Sequence, residues 1–343
     1  MKRRAVVTIL IAIILAASLS ACGAKNNKPN ETPKQSPQAT PAASDAGGTE
    51  QTGKKEDGPA GTRIITYLDK EYEVPAIAER IIMAGSMESM EDALVINVKP
   101  IGATTVSGEF PAMFASIMEG VTGVGEKTQP SVEEMLKLKP DVILASTKFP
   151  AESLEKFSSI ATTIPVSHIS TNWEANLKLL GELTGKQELV NQELQKYQDN
   201  MNQLKQSLGP VLKDKTVLAV RIRTGGMYIY PQNIFFNPSI YEDLGADVPD
   251  AVLKAEAQQL ISLEMLTEIN PDYLFIQFAE GENVETPKTL EELKNNPIFK
   301  SINAVKNDHL FVNIVDPIAQ GGTAFSKIAF LEAVKNSSLN QTK

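Results

Sequence analysis

One segment of this chain occurs twice, and that repeat constrains the fold more than any other feature. Ser131-Val132-Glu133, six residues and Pro140-Asp141-Val142-Ile143-Leu144 return 131 residues later as Ser262-Leu263-Glu264, six residues and Pro271-Asp272-Tyr273-Leu274-Phe275. Each copy reads as a serine-capped helix, a Pro-Asp turn and a buried strand. A helix-to-strand unit used twice at this distance implies two structurally related lobes. The 343 residues are enough for two domains of ordinary size.

The segments around the two copies agree with that reading. Ile64, Ile65 and Tyr67 lead into the turn-like Asp69-Lys70 and a second run, Tyr72 to Val74, which predicts a small hairpin. Strand-like apolar runs then alternate with helical stretches at Arg80 to Ala84, Val98 to Gly102, Asp141 to Ser146 and Ile164 to His168. Such alternation is the pattern of a doubly wound α/β lobe. From Lys186 to Leu208, apolar or aromatic residues at Val190, Leu194, Tyr197, Met201, Leu204 and Leu208 follow the spacing 4, 3, 4, 3, 4, a continuous helix stripe expected to stop at Gly209-Pro210. Strand-like runs resume at Thr216 to Arg223, Met227 to Tyr230, Tyr273 to Phe278 and Leu310 to Ile314. The expected organisation is a lobe over 61–185, a connecting helix over 186–208 and a second α/β lobe over 209–343.

At the N-terminus, Lys2, Arg3 and Arg4 precede an apolar stretch, Ala5 to Ala17, that is short for a membrane span, and Leu19-Ser20-Ala21-Cys22 closes it. Cys22 is the only cysteine, so no internal disulfide can form and a processing role suits it better than packing. The tetrapeptide resembles the lipobox of bacterial lipoproteins, which makes residues 1–21 a signal peptide and Cys22 the lipidated new N-terminus; an ordinary cleaved secretory signal is the alternative. Residues 22–60 contain almost no large apolar side chain and are rich in Pro, Ala, Ser, Thr and Gly, the composition of a disordered tether. The formal net charge of −9 falls to about −12 once Lys2, Arg3 and Arg4 leave, which argues against nucleic acid as a partner. It does not exclude a local basic site. Two histidines, His168 and His309, are too few for an ordinary bare transition-metal receptor. No G-x-S-x-G elbow, P-loop or H-E-x-x-H motif occurs, so the chain does not read as an enzyme.

A lipobox, a tether, two related α/β lobes and one long helix resemble the class III substrate-binding proteins of ABC importers, which carry siderophores, haem and cobalamin. The segments PSVEEMLKLKPDVILAS, Ile160 to Val166, ISLEMLTEINPDYLFIQ and NNPIFKSINAVKNDHLFVNIVD carry the resemblance, which covers roughly residues 61–337. It implies two Rossmann-like lobes joined by one long rigid helix, ligand in the cleft between them, and modest closure. It also implies a monomer that delivers its cargo to an ABC permease, heterodimeric or homodimeric, with its ATPase. The location implied is the outer face of the cell membrane of a bacterium, Gram-positive in type. A sensor or adhesion module on the same fold is the rival reading.

Arg221 and Arg223 stand two apart on a strand-like run and therefore share a face, which makes sense if an anion lies against both; separate salt bridges to Asp or Glu are the alternative. In the catecholate-siderophore receptors that this chain resembles, an Arg-x-Arg pair at this strand contacts the ferric complex. Lys127 and Lys148, in loops at strand ends, match lysines of the same receptors. A further family lysine falls near 254–256, where this chain offers Lys254 and then Glu256; Gln258 adds a neutral polar contact. Four cations suit a trianionic ferric tris-catecholate better than a near-neutral hydroxamate complex. At about 4 Å and an effective dielectric of about 20, each would contribute roughly 4 kcal/mol before desolvation. Hydroxamate, haem and cobalamin ligands stay open, with His168 the conceivable haem ligand. No cofactor is expected, since iron travels inside the siderophore. The aromatics Trp173, Tyr228 and Tyr230 read as core, and Gly225-Gly226 and Gly321-Gly322 as rim turns. Finally, Glu133 and Glu264 occupy matching places in the repeat, where the resemblance implies docking on arginines of the two permease subunits.

Overall fold

The computed structural model describes residues 61–341. Cys22, the signal peptide and the tether lie outside the described residues. Thirteen strands form three sheets among the described residues. The expected hairpin is present as β1 (Thr62–Tyr67) and β2 (Lys70–Pro75), paired antiparallel.

The first lobe is built on a six-stranded sheet: β3 (Ile81–Ala84), β4 (Gly102–Thr105), β5 (Thr122–Glu126), β6 (Gln129–Pro130), β7 (Val142–Ser146) and β8 (Thr162–Val166). Their order is β6-β5-β4-β3-β7-β8, parallel except for the short edge strand β6. Alternate residues serve opposite faces. Ile81, Met83, Val142 and Leu144 join the main core, while Ile82, Ala84, Ile143 and Ala145 pack with Met135 and Phe157 of the outer helices. Both faces are thus covered, as a doubly wound lobe requires. The chain reverses its direction of strand addition between β3 and β7.

The second lobe has five strands in the order β11-β10-β9-β12-β13: β9 (Val217–Arg223), β10 (Gly226–Ile229), β11 (Gln259–Ile261), β12 (Tyr273–Phe278) and β13 (Leu310–Val312). β9, β12 and β13 are parallel, and β10 runs antiparallel to both its neighbours. Here strand addition reverses between β9 and β12.

The repeat works the same way in both lobes. Ser131 caps helix Val132–Leu138 and Ser262 caps helix Leu263–Ile269; each helix ends on a left-handed residue, Lys139 or Asn270, followed by proline. The aspartate after that proline pins the neighbouring central strand. Asp141 Oδ2 accepts from Arg80 N at 2.9 Å, and Asp272 Oδ2 from Thr216 N at 3.0 Å.

The connecting helix runs Gln187–Leu212, not to Leu208. Pro210 falls in the last turn, where a missing N–H costs one hydrogen bond, and Leu212 continues the stripe four residues after Leu208 into the core at 1% exposure. A separate helix, Trp173–Thr184, precedes it and stops at the left-handed Gly185. The fourth strand begins at Gly102, not at Val98, because Asn97 and Val98 are spent on terminating helix Met87–Ile96: Val98 N donates to Ala93 O.

The two lobes are also joined away from the connecting helix. The C-terminal helix Ala324–Asn336 returns to pack on helices Met87–Ile96, Trp173–Thr184 and Gln187–Leu212. Glu91, fully buried, accepts from Gln320 N at 2.7 Å and from the hydroxyls of Thr323 and Ser326, and Asp92 Oδ1 accepts from Ala324 N at 3.1 Å. Two carboxylates of the first lobe therefore cap a helix of the last segment. Burial pushes Glu91 up to about 7 and Asp92 well above the usual carboxylate range. Nearby, Lys327 is buried against Asp243 at 2.6 Å and under the rings of Trp173 and Tyr197.

Candidate functional site

Each lobe carries a cation–carboxylate pair at its point of reversal, and the two pairs share one cleft. In the first lobe, Glu88 follows β3 and Lys148 follows β7; Lys148 Nζ lies 3.0 Å from Glu88 Oε1. In the second, Arg221 and Arg223 end β9 and Glu282 follows β12; Arg221 donates Nε and Nη2 to the two Glu282 oxygens at 3.0 and 2.9 Å, and Arg223 Nε lies 3.5 Å away. Carboxyl ends of strands beside a reversal are where sheets of this type leave a crevice for ligand. The lining joins Lys127, Lys148, Glu88 and His168 of the first lobe to Arg221, Arg223, Glu282 and Gln258 of the second, around about 680 Å³.

Local structure explains how each group arrives. Lys127 and Thr128 are the two-residue turn between β5 and β6, so the lysine projects from a hairpin tip. Glu126 clamps that hairpin by accepting from Thr105 Oγ1 at 2.9 Å and Gly108 N at 2.7 Å. Gly85 lets β3 leave the sheet: its φ is +65°, and a Cβ there would stand 2.6 Å from the Lys127 carbonyl oxygen. Gly322 forms part of the cleft floor, where a Cβ would meet Ser170 Oγ at 1.7 Å. Opposite the lysines, Tyr230, Ile234 and Phe235 supply an apolar, aromatic wall. Phe235 lies beneath Arg221 at 6.0 Å. Gln258 Oε1 accepts from Arg223 Nη1 at 3.2 Å and from Tyr230 OH at 3.1 Å, which leaves its amide N–H groups for a ligand.

The electrostatics join the lobes. Burial lowers Lys127 below the ordinary lysine range; Glu282 of the other lobe counteracts this, and Arg221, Arg223 and Lys148 push it further down. Burial and then Lys148 lower His168 as well, with Glu88 opposing. Its Nδ1 stands 2.8 Å from Thr147 Oγ1. The arrangement suits an anion of some bulk carrying flat apolar rings: cations on both walls, aromatic surface on one, and an opening to solvent.

A model of the periplasmic binding proteins matches residues 105–313. The chain belongs to the periplasmic binding protein family. Among relatives of this periplasmic binding protein, the iron-uptake system-binding protein of Bacillus subtilis is 49% identical over 285 residues, 83% of this chain and 90% of that one. The crystal structure of the triscatecholate siderophore binding protein FeuA from Bacillus subtilis, complexed with ferri-bacillibactin, matches with a TM-score of 0.78 at 49% identity, over 81% of this chain and 98% of that one. The catecholate-siderophore binding protein VctP from Vibrio cholerae, 19% identical, shares the fold with a TM-score of 0.66 over 80% of this chain and 100% of its own. The expected α/β class with two lobes and one long helix therefore holds.

The structure of this periplasmic binding protein brings Lys127, Lys148, Arg221, Arg223 and Gln258 together in one cleft. It does not bring Lys254 there: that side chain is exposed, pairs with Asp250 at 3.3 Å, and it is Glu256 that reaches the lining. The two arginines do share a face, and the salt-bridge alternative also holds, since both meet Glu282. Glu133 and Glu264 are exposed in the first turns of the two repeat helices, and Glu133 pairs with Lys137 at 2.8 Å. Sequence reasoning missed Glu88 and Glu282. Two arginines on one strand call for a counter-charge on the neighbouring strand, and the Glu280-Gly281-Glu282 stretch after β12 was the available signal. Tyr230 packs in the core as expected and also lines the cleft, while His168 stands in a loop two residues beyond the end of β8.

Proposed function

We propose that this protein captures a ferric catecholate siderophore in the interlobe cleft and delivers it to an ABC permease. The observation that carries the reading is the convergence of Lys127, Lys148, Arg221 and Arg223, two from each lobe, on a cleft with an aromatic wall. A ferric tris-catecholate is a compact trianion with three flat rings, so cations and apolar surface both find a counterpart on it. The relative solved with ferri-bacillibactin, half identical over nearly its whole length, supports the same ligand class. His168 is held through Nδ1 by Thr147 and lowered by burial and by Lys148.

Residues 1–21 act as signal peptide, Cys22 carries the lipid anchor and residues 22–60 tether the folded body to the outer face of the cell membrane. Glu133 and Glu264, one on each lobe, dock on the permease. The test of ligand class is quenching of Trp173, the only tryptophan, by ferric bacillibactin, ferrichrome, ferrioxamine, haemin and cobalamin. Saturation at the lowest concentration by the tris-catecholate is expected; tighter binding of any of the others overturns the reading.

A further inference from the structure

The cleft holds three carboxylates, and they are not equivalent. Glu88 is paired with Lys148 through Oε1, its Oε2 being buried without a partner, and Glu282 is paired with Arg221 and Arg223. Glu256 is different. It stands exposed on the loop that leads from Lys254 to Gln258, lines the same cleft, and among the described residues forms no ion pair or side-chain hydrogen bond.

A free carboxylate on the wall of a site for a trianion opposes binding of that trianion, because like charges raise the energy of the complex. It is accommodated without loss if the ligand brings a positive group to it. The surrounding charges sharpen this point. Four cations face three carboxylates in the lining, a balance of +1, which leaves a bare trianion largely uncompensated. A complex whose catecholates keep their charge around iron, while an arm carries an ammonium or guanidinium group, satisfies Lys127, Lys148 and the arginines with its anionic centre and Glu256 with its arm.

We infer that Glu256 is a specificity-determining residue that selects ferric catecholate complexes with a cationic group on the backbone or spacer. This rests on the catecholate reading above and adds the chemistry of the arm. Gln258, two residues on, offers amide donors to the anionic part, so one short loop addresses both charges of such a ligand.

The experiment uses the mature lipid-free protein and two ferric tris-catecholates on one scaffold, with glycine spacers or with lysine spacers, titrated by tryptophan quenching. The wild type is expected to prefer the lysine-spacer complex by about three- to tenfold, the range of a partly exposed ion pair. Glu256→Gln should remove that preference by weakening the lysine-spacer complex alone, and Glu256→Lys should reverse it. Glu155→Gln, which removes the same charge from the outer helix Ala151–Ser158, should leave the preference intact and so separates a local contact from overall acidity. A preference that survives Glu256→Gln, or a wild type with none, overturns the inference while the catecholate function stands. Failure of both complexes to bind removes the function and this inference together.

Discussion

The Arg221–Glu282 pair allows the structural and ligand-binding roles of one side chain to be separated. Arg221→Met removes two hydrogen bonds of 3.0 and 2.9 Å and leaves Glu282, whose side chain is 11% exposed, with Arg223 at 3.5 Å. Orphaning one member of a buried pair costs about 3–5 kcal/mol; the remaining arginine brings the expected loss to about 2–3 kcal/mol, or roughly 5 °C or more in Tm for a unit of this size. Loss of a charge-assisted contact to the ligand should cost about 1.5–3 kcal/mol, roughly ten- to a hundredfold in Kd. The double variant Arg221→Met/Glu282→Gln leaves no deeply buried charge orphaned, because Arg223 is 36% exposed and keeps its hydrogen bond to Gln258, so it should regain most of the stability and none of the affinity. Thermal unfolding and tryptophan quenching on the three proteins give both quantities. Unchanged affinity in Arg221→Met would refute the anionic-ligand reasoning, and a double variant no more stable than the single would refute the account of the pair.

Four further expectations follow from the geometry. Because Lys127 is lowered, affinity should decline with rising pH earlier than an ordinary lysine would make it, and Lys127→Arg should flatten that limb of the titration. Glu91 is raised from 4.5 to about 7 in the folded state, so the fold holds its proton where the unfolded chain has lost it. Its contribution is fully present below 4.5 and is lost as pH rises through about 7, and Glu91→Gln should reduce that slope in denaturant melts. Glu133→Arg with Glu264→Arg should abolish iron import in cells while the purified protein keeps its siderophore affinity; normal import would assign docking elsewhere. Cys22→Ala should release the protein from membranes and prevent labelling by a palmitate analogue.

What the sequence made legible is what local signals encode. Serine caps, Pro-Asp turns and the stripe from Val190 to Leu208 depend on neighbours a few residues away, and each appears where expected. Arg221 and Arg223 could be placed on one face because strand alternation alone decides it. Which acidic residue supplies the counter-charge is not decided locally, since Glu282 lies 61 residues from Arg221 and Glu88 lies 60 from Lys148. Those pairs exist only once β9 lies beside β12, and β3 beside β7. The helix end differs from the expected one for a related reason: Gly209-Pro210 is a strong local stop, and burial of Leu212 in the core overrides it. Charge alone points to Lys254, whereas the course of its loop decides that Glu256 reaches the cleft.

The capping of helix Ala324–Asn336 by Glu91 and Asp92 bears on how this protein can have arisen and how it can be divided. The repeat suggests two copies of one ancestral unit, yet the copies have lost their autonomy. A chain cut after Leu212 would leave two buried carboxylates without donors, and the complementary piece would expose the N-terminus of its last helix. Neither half is expected to fold unless the other is supplied. A split version should therefore work only as a co-expressed pair, with its activity reporting reassembly of the halves.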